Sequence, residues 1–125
     1  MPPQPIKVKG HSLIDYGFAA VNVVGPLALG LMGPARAIPL AFAATQGGLN
    51  ALTDQPYAAK RVIPFKLHGK SEKYAVPALG AAVVATGAFK QSPPFFAGVL
   101  TALGVVYTLT DWDAKPPRRW IPWRG

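Results

Sequence analysis

No charged residue interrupts the stretch YGFAAVNVVGPLALGLMGPA, which covers residues 16–35. Three further uncharged stretches follow, at residues 37–53, 74–89 and 91–110. Helices of this length reach about 24–30 Å, close to the thickness of the hydrocarbon layer of a bilayer. A water-facing bundle would show charged residues along one side of each helix, and these stretches have none at any rotation. The sequence therefore predicts an all-α integral membrane protein with four transmembrane helices.

The composition of the 125-residue chain indicates one small apolar unit. Charged residues make up 14% of the chain, whereas ordinary soluble domains contain about 25%. Because the chain has no cysteine, a thiol nucleophile, an iron–sulfur cluster and a thiolate zinc site are excluded. The formal net charge of +8 favours nucleic acid or anionic lipid as a partner.

The basic residues give the predicted spans an orientation. Eleven of the thirteen lie before the first stretch, between the second and third, or after the fourth: Lys7, Lys9, Lys60, Arg61, Lys66, Lys70, Lys73, Lys115, Arg118, Arg119 and Arg124. The positive-inside rule then places both termini in the cytoplasm, with membrane lipid as a partner. Since topology explains the charge and no nucleic-acid-binding motif accompanies it, we predict no nucleic-acid partner.

The chain repeats itself at a shift of 57 residues. Corresponding residues are His11 and His68, Asp15 and Glu72, and Asp54 and Asp111. Each repeat opens with His-x-x-x-Asp/Glu and closes with Leu-Thr-Asp, which predicts two tandem parallel helical hairpins. The predicted organisation is an N-terminal segment (1–10), a first hairpin repeat (11–67), a second hairpin repeat (68–112) and a basic aromatic tail (113–125).

These repeats resemble the SPW-repeat family of small bacterial four-helix membrane proteins. The resemblance rests on His11 with Asp15-Tyr16, on Gly-Pro-Leu-Ala-Leu-Gly-Leu at residues 25–31, and on Leu-Thr-Asp at residues 52–54. The family has Ser-Pro-Trp followed by Gly where this chain has Gly-Pro-Leu, so the chain resembles a divergent member. The resemblance implies the hairpin architecture and a location in the bacterial cytoplasmic (inner) membrane. It implies no chemistry, because the family has no assigned activity.

Two interpretations fit the His-x-x-x-Asp/Glu pairs. Residues four apart are neighbours on a helix, so each carboxylate could orient His11 or His68 as a ligand of a metal, haem or pigment. We favour the other interpretation, in which the pairs mark helix starts, because acidic residues stabilise helix N-termini and neither histidine lies inside an uncharged stretch. The sequence therefore predicts no catalytic residue, no metal and no cofactor.

Carboxylates at two predicted helix ends and the basic tail have predicted structural roles. A carboxylate is unfavourable at a helix C-terminus, so we expect Asp54 to pair with Arg61 and Asp111 with Arg118 as clamps. Contacts with lipid or a partner are expected from the tail residues Arg118, Arg119, Trp120, Trp123 and Arg124.

No converging set of nucleophile, base and ligands is visible, so we do not predict an enzyme. We predict a non-catalytic multi-pass membrane protein, an accessory or scaffolding subunit that binds partner subunits of a larger bacterial membrane complex, respiratory or photosynthetic. The alternative is a small transporter or channel component in which Asn22, Gln46 and Asn50 form a polar track.

Overall fold

The computed structural model describes residues 4–117. Within that range the chain forms four α-helices and one 3₁₀ helix: α1 (Val8–Ala28), α2 (Pro34–Leu52), α3 (Phe65–Ala85), the 3₁₀ helix (Ala88–Gln91) and α4 (Pro93–Leu109). Helix α1 packs mainly against α2, and α3 packs against both α4 and α2. The all-α part of the predicted fold class is confirmed.

The prediction of four transmembrane helices is wrong. Across residues 4–117, no helix combines the length and the apolarity that crossing a membrane requires. Helices α1 and α3 begin before the uncharged stretches and carry charges in their first turns, so the uncharged remainder of α1 covers residues 16–28, or about 20 Å, against about 30 Å of hydrocarbon. The predicted multi-pass topology, cytoplasmic termini and inner-membrane location depended on the four spans and are wrong for the same reason.

Glycines in the left-handed backbone region end α1 and α3. Gly30 has a φ of 65°, its N–H donates to the carbonyl of Leu27, and the N–H of Leu31 donates to the carbonyl of Pro26. This is the bonding pattern of a Schellman motif. Gly87, 57 residues later, has a φ of 78° and follows the end of α3; its N–H donates to the carbonyl of Val84 at 3.2 Å. These two turns divide uncharged stretches that the sequence alone presents as continuous.

The buried residues divide the bundle into an apolar end and a polar end. The apolar core lies beside the two glycine turns and contains Leu31, Ala35, Leu79, Val83, Ala88, Phe96, Val99 and Leu103. At the opposite end, α1 and α3 begin and α2 and α4 finish. The buried polar side chains there are His11, Ser12, Asn50, Thr53, Gln55, His68, Glu72 and Thr110. Buried polar groups need partners, so this end requires a specific arrangement.

Backbone hydrogen bonds close the polar end in the same way in both repeats. The N–H of Asp54 donates to the carbonyl of Ile63 at 2.7 Å, and the N–H of Asp111 donates to the carbonyl of Ile6 at 2.8 Å. Exchanging the two repeats, by a shift of 57 residues, converts one bond into the other. The internal repeat therefore corresponds to an approximate twofold symmetry of the polar end.

We expect Gly87→Ala to lower the free energy of unfolding by about 1–2 kcal/mol, because a side chain is unfavourable at its positive φ. A Cβ at this position would meet no atom within 4 Å, so the loss of stability would come from the strained backbone conformation and not from a steric clash. Gly98→Ala is the control: it also meets no atom, but it lies within α4 and should stabilise by about 0.5–1 kcal/mol. Urea unfolding measures both, and equal effects would contradict the assigned turn.

Candidate metal centre

Four ionisable side chains converge at the polar end, two from each of two helices. His11 and Asp15 come from α1, and His68 and Glu72 come from α3. The Nε2 atom of His11 lies 3.1 Å from Asp15 Oδ2 and 3.1 Å from Glu72 Oε2. The Nε2 atom of His68 lies 2.8 Å from Asp15 Oδ2 and 3.2 Å from Glu72 Oε2. Two nitrogens and two oxygens thus surround one point, and their candidate ligand atoms all lie within 4.8 Å of one another.

The helical spacing of each pair and the symmetry of the repeat produce this arrangement. Each carboxylate lies four residues after its histidine, so both side chains project from the same side of their helix. Each histidine is also the fourth residue of its helix, since α1 begins at Val8 and α3 begins at Phe65. The approximate twofold symmetry then turns the two pairs toward each other.

Threonines from the ends of α2 and α4 fix the orientation of both imidazole rings. Thr53 donates its hydroxyl hydrogen to the carbonyl of Leu49 at 2.6 Å, so its oxygen accepts a hydrogen bond from His68 Nδ1 at 2.7 Å. Thr110 likewise donates to the carbonyl of Val106 and accepts from His11 Nδ1 at 2.9 Å. With Nδ1 protonated and bonded, the Nε2 atom of each ring points at the carboxylates.

An aromatic cover closes the histidine side of the cluster. The Trp112 ring lies 4.6 Å from the His11 ring and 5.0 Å from the Phe65 ring, measured between centroids. Trp112 donates its indole N–H to the carbonyl of Tyr107 at 3.1 Å, which holds the ring in place. A Cβ at Gly69 would come within 2.4 Å of the Trp112 ring, so this contact requires glycine. Both histidines are completely shielded from solvent as a result.

The contacts within the cluster shift the pKa values of both histidines and of Asp15. Burial alone would lower the pKa of His11, but its hydrogen bonds with Asp15 and Glu72 outweigh burial and raise the pKa from 6.5 to about 9. The pKa of His68 is raised by the same competition between burial and its two carboxylate partners. Burial would raise the pKa of Asp15, but its hydrogen bonds to both histidines lower it. Without another cation, the cluster therefore consists of imidazolium–carboxylate pairs.

One oxygen of the cluster is left without a partner. Glu72 is 2% exposed, and its Oε1 atom makes no hydrogen bond. Within residues 4–117 it is the sole buried side-chain nitrogen or oxygen in this condition. Because an unpaired buried polar atom is destabilising by about 1–3 kcal/mol, this oxygen indicates that a further group belongs at the site.

The predicted clamps have different outcomes. Asp54 accepts a hydrogen bond from Arg61 Nε, and Arg61 also donates to the carbonyl of Pro117 at 2.8 Å. Asp111 is bonded to Lys7 at 2.8 Å. Its predicted partner Arg118 lies outside the described residues, as do the other tail residues predicted to make contacts: Arg119, Trp120, Trp123 and Arg124.

The residues of the predicted polar track have separate environments. Asn22 donates to the carbonyl of Phe18 in its own helix at 2.8 Å, and Asn50 donates to the carbonyl of Ser12 at 2.9 Å. Gln46 lines a small cavity beside Asp15 and Glu72. The two asparagines thus bind backbone carbonyls, and Gln46 is the member of the set that lies beside the cluster.

The prediction that the two pairs mark separate helix starts includes neither the convergence of the four residues nor the part played by the threonines. It depends on His11 and His68 lying outside the uncharged stretches. A usable signal was present: histidine, carboxylate and the threonine of Leu-Thr-Asp all recur at the same shift of 57 residues. Three chemically matched positions in both repeats favour one shared site over two separate helix ends.

Comparison with known proteins gives no match to a family, to a curated protein or to a solved structure.

We expect the protein, freed of metal by a chelator, to lose stability as the pH rises from about 6.5 through about 9. The folded protein holds a proton on His11 more tightly than the unfolded chain does, so this contribution is complete below the unfolded pKa and disappears above the folded one. The change should amount to a few kcal/mol. Urea unfolding at a series of pH values measures it, and a flat profile would contradict the imidazolium–carboxylate assignment.

Proposed function

We propose that this protein binds one divalent transition-metal ion through His11 Nε2, His68 Nε2 and the carboxylates of Asp15 and Glu72. The convergence of these four donors in one buried cluster is the observation that carries the proposal. Two imidazoles and two carboxylates form a donor set suited to zinc, iron, cobalt or manganese, and less suited to calcium, which prefers oxygen alone.

The separations between the donor atoms fit an ion of this kind. Zinc bonds to nitrogen and oxygen are about 2.0–2.1 Å long, so neighbouring ligands of a tetrahedral ion lie about 3.3 Å apart. The four N···O distances of the cluster run from 2.8 to 3.2 Å. These four separations would therefore lengthen by only a few tenths of an ångström around the ion, and the N···N and O···O separations lie within 4.8 Å.

The charges and the hydrogen bonds around the donors also fit. Two carboxylates with two neutral imidazoles carry a charge of −2, which a divalent cation balances, so the buried centre would be neutral. Thr53 and Thr110 bind Nδ1 of the two rings, and hydrogen bonds of this kind orient metal-binding histidines. An ion, or a group bound to it, would also provide the missing partner of Glu72 Oε1.

We expect chelator-treated protein to bind about one Co²⁺ or Zn²⁺ per chain at slightly alkaline pH, where metal competes better with protons. Metal analysis after dialysis gives the stoichiometry, and calorimetry gives the affinity. Glu72→Gln keeps the shape of the side chain but removes its charge, and it should weaken binding strongly. Asp54→Asn is the matched control, because it neutralises a carboxylate outside the cluster and should bind like the wild type.

A wild-type chain that binds neither ion, and whose thermal stability neither ion raises, would refute this function. The cluster would then be a buried network of ion pairs that stabilises the fold alone. Equal binding by Glu72→Gln and by wild type would place any bound ion elsewhere.

We expect Thr53→Val and Thr110→Val each to weaken metal binding by about 10–100-fold, as loss of a group that orients a metal ligand commonly does. Valine matches threonine in shape but cannot accept the hydrogen bond from Nδ1. Thr108→Val is the control, because Thr108 lies on α4 with its hydroxyl bonded to the carbonyl of Gly104 and is exposed. Unchanged affinity in the first two variants would show that the threonines do not orient the ligands.

We propose, as a second function, an accessory or scaffolding role. This role does not depend on the membrane spans that the sequence predicted. Large apolar side chains that are more than half exposed favour it, among them Val24 at 61%, Met32 at 62% and Val84 at 67%. Exposed apolar side chains of this size are available for contact with a partner. Val24→Asn with Val84→Asn should reduce copurification of such a partner and leave metal binding unchanged. Full recovery of the partner would contradict this role.

A further inference from the structure

A small, partly open cavity lies beside Asp15 and Glu72 of the cluster. Asp15 and Glu72 contribute to its lining, the apolar part of the wall includes Phe42, Ala43 and Leu103, and Gln46 adds an amide. Its volume is about 10 Å³, which is room for about one water molecule. The imidazole rings do not line it, since they lie on the side covered by Trp112.

We propose that the bound ion, held by the four donors, has a fifth coordination position directed into this cavity, occupied by water or by another molecule of at most two non-hydrogen atoms. This inference rests on the proposed metal-binding function and identifies the class of ligand that the same site takes. The cavity touches the residues of both carboxylate donors, so a molecule inside it lies next to the ion.

The unpaired oxygen of Glu72 is a second observation in favour of such a ligand. Glu72 lines the cavity, and its Oε1 atom is buried without a hydrogen-bond partner. A water molecule on the ion would donate a hydrogen bond to this oxygen, and the Gln46 amide offers a further polar contact. A buried water needs two to four polar partners, and the ion, Glu72 and Gln46 supply them.

The size of the cavity restricts the chemistry of the ion. Sites for drug-sized ligands measure about 300–1,000 Å³, far more than the space available here. A peptide, nucleotide or sugar therefore does not fit beside the ion. The ligands that fit are water, hydroxide and diatomic molecules such as nitric oxide.

Nitric oxide tests the open position because it is diatomic and its complex with Fe²⁺ has a characteristic paramagnetic resonance spectrum. Chelator-treated wild-type protein is loaded with Fe²⁺ without oxygen, freed of unbound iron and exposed to nitric oxide. We expect the spectrum of an iron–nitrosyl complex at about one per bound iron. Imidazole, which is too large for the cavity, should leave the visible spectrum of Co²⁺-loaded protein unchanged.

Ala43→Val places two extra methyl groups in the cavity wall, and we expect it to bind iron as the wild type does but to lose most of the nitrosyl signal. Ala44→Val is the matched control, because Ala44 is the next residue of α2 and is exposed. If Ala43→Val fails to load iron, Ala19→Val fills another part of the same wall and takes its place.

The outcomes separate the two proposals. Iron that binds but gives no nitrosyl complex in wild-type protein would refute the open position and leave the metal site standing. A nitrosyl signal in Ala43→Val equal to that in Ala44→Val would place the ligand outside the cavity and also refute it. Wild-type protein that binds no metal would refute the proposed function itself.

Discussion

The contact between the two His–carboxylate pairs is the interaction on which the polar end of the bundle depends. Each Nε2 atom lies between one oxygen of its own helix and one of the other, so α1 and α3 are joined by four short N···O contacts. The two helices make few other close approaches. Removing one member of a buried charge pair typically destabilises by about 3–5 kcal/mol, because its partner keeps an unpaired charge. These four side chains therefore join α1 and α3 directly, in addition to the packing of both helices against α2.

The two ends of the bundle are stabilised by different interactions. Burial of apolar side chains such as Leu103 and Phe96 stabilises the end with the glycine turns. This stabilisation depends on the volume of the side chains and not on the direction of hydrogen bonds. At the polar end the hydrogen-bonding side chains must point in specific directions. Threonine hydroxyls that are themselves bonded to helix carbonyls orient them. The donors are consequently oriented before any ion binds, which reduces the loss of conformational freedom on binding.

Much of the architecture could be predicted from the sequence, but the membrane assignment could not be kept. The internal repeat is a periodic signal, and the matched backbone hydrogen bonds of Asp54 and Asp111 agree with it. The turns at Gly30 and Gly87 were not predicted, because they lie inside stretches that the sequence presents as continuous. The uncharged stretch 16–35 was misleading because it joins the last turns of α1, a glycine turn and the start of α2. The site could not be predicted for a different reason. Sequence spacing shows that His11 and Asp15 share a side of α1, but it does not show that the corresponding side of α3, with the second pair, faces them.

The two repeats carry different residues at corresponding positions beside the site, so the two sides of the site are not equivalent. Trp112 and Gln55 are related by the 57-residue shift, and each donates a side-chain N–H to a carbonyl five residues earlier, Tyr107 and Asn50 respectively. One position thus carries an indole that covers His11, and the other carries an amide that also bonds to the backbone N–H of Tyr57. The donors differ as well, because Glu72 is one methylene longer than Asp15 and keeps an unpaired oxygen. Duplication therefore accounts for a symmetric set of ligands, whereas the departures from symmetry determine which side is sealed and which side retains an unpaired oxygen.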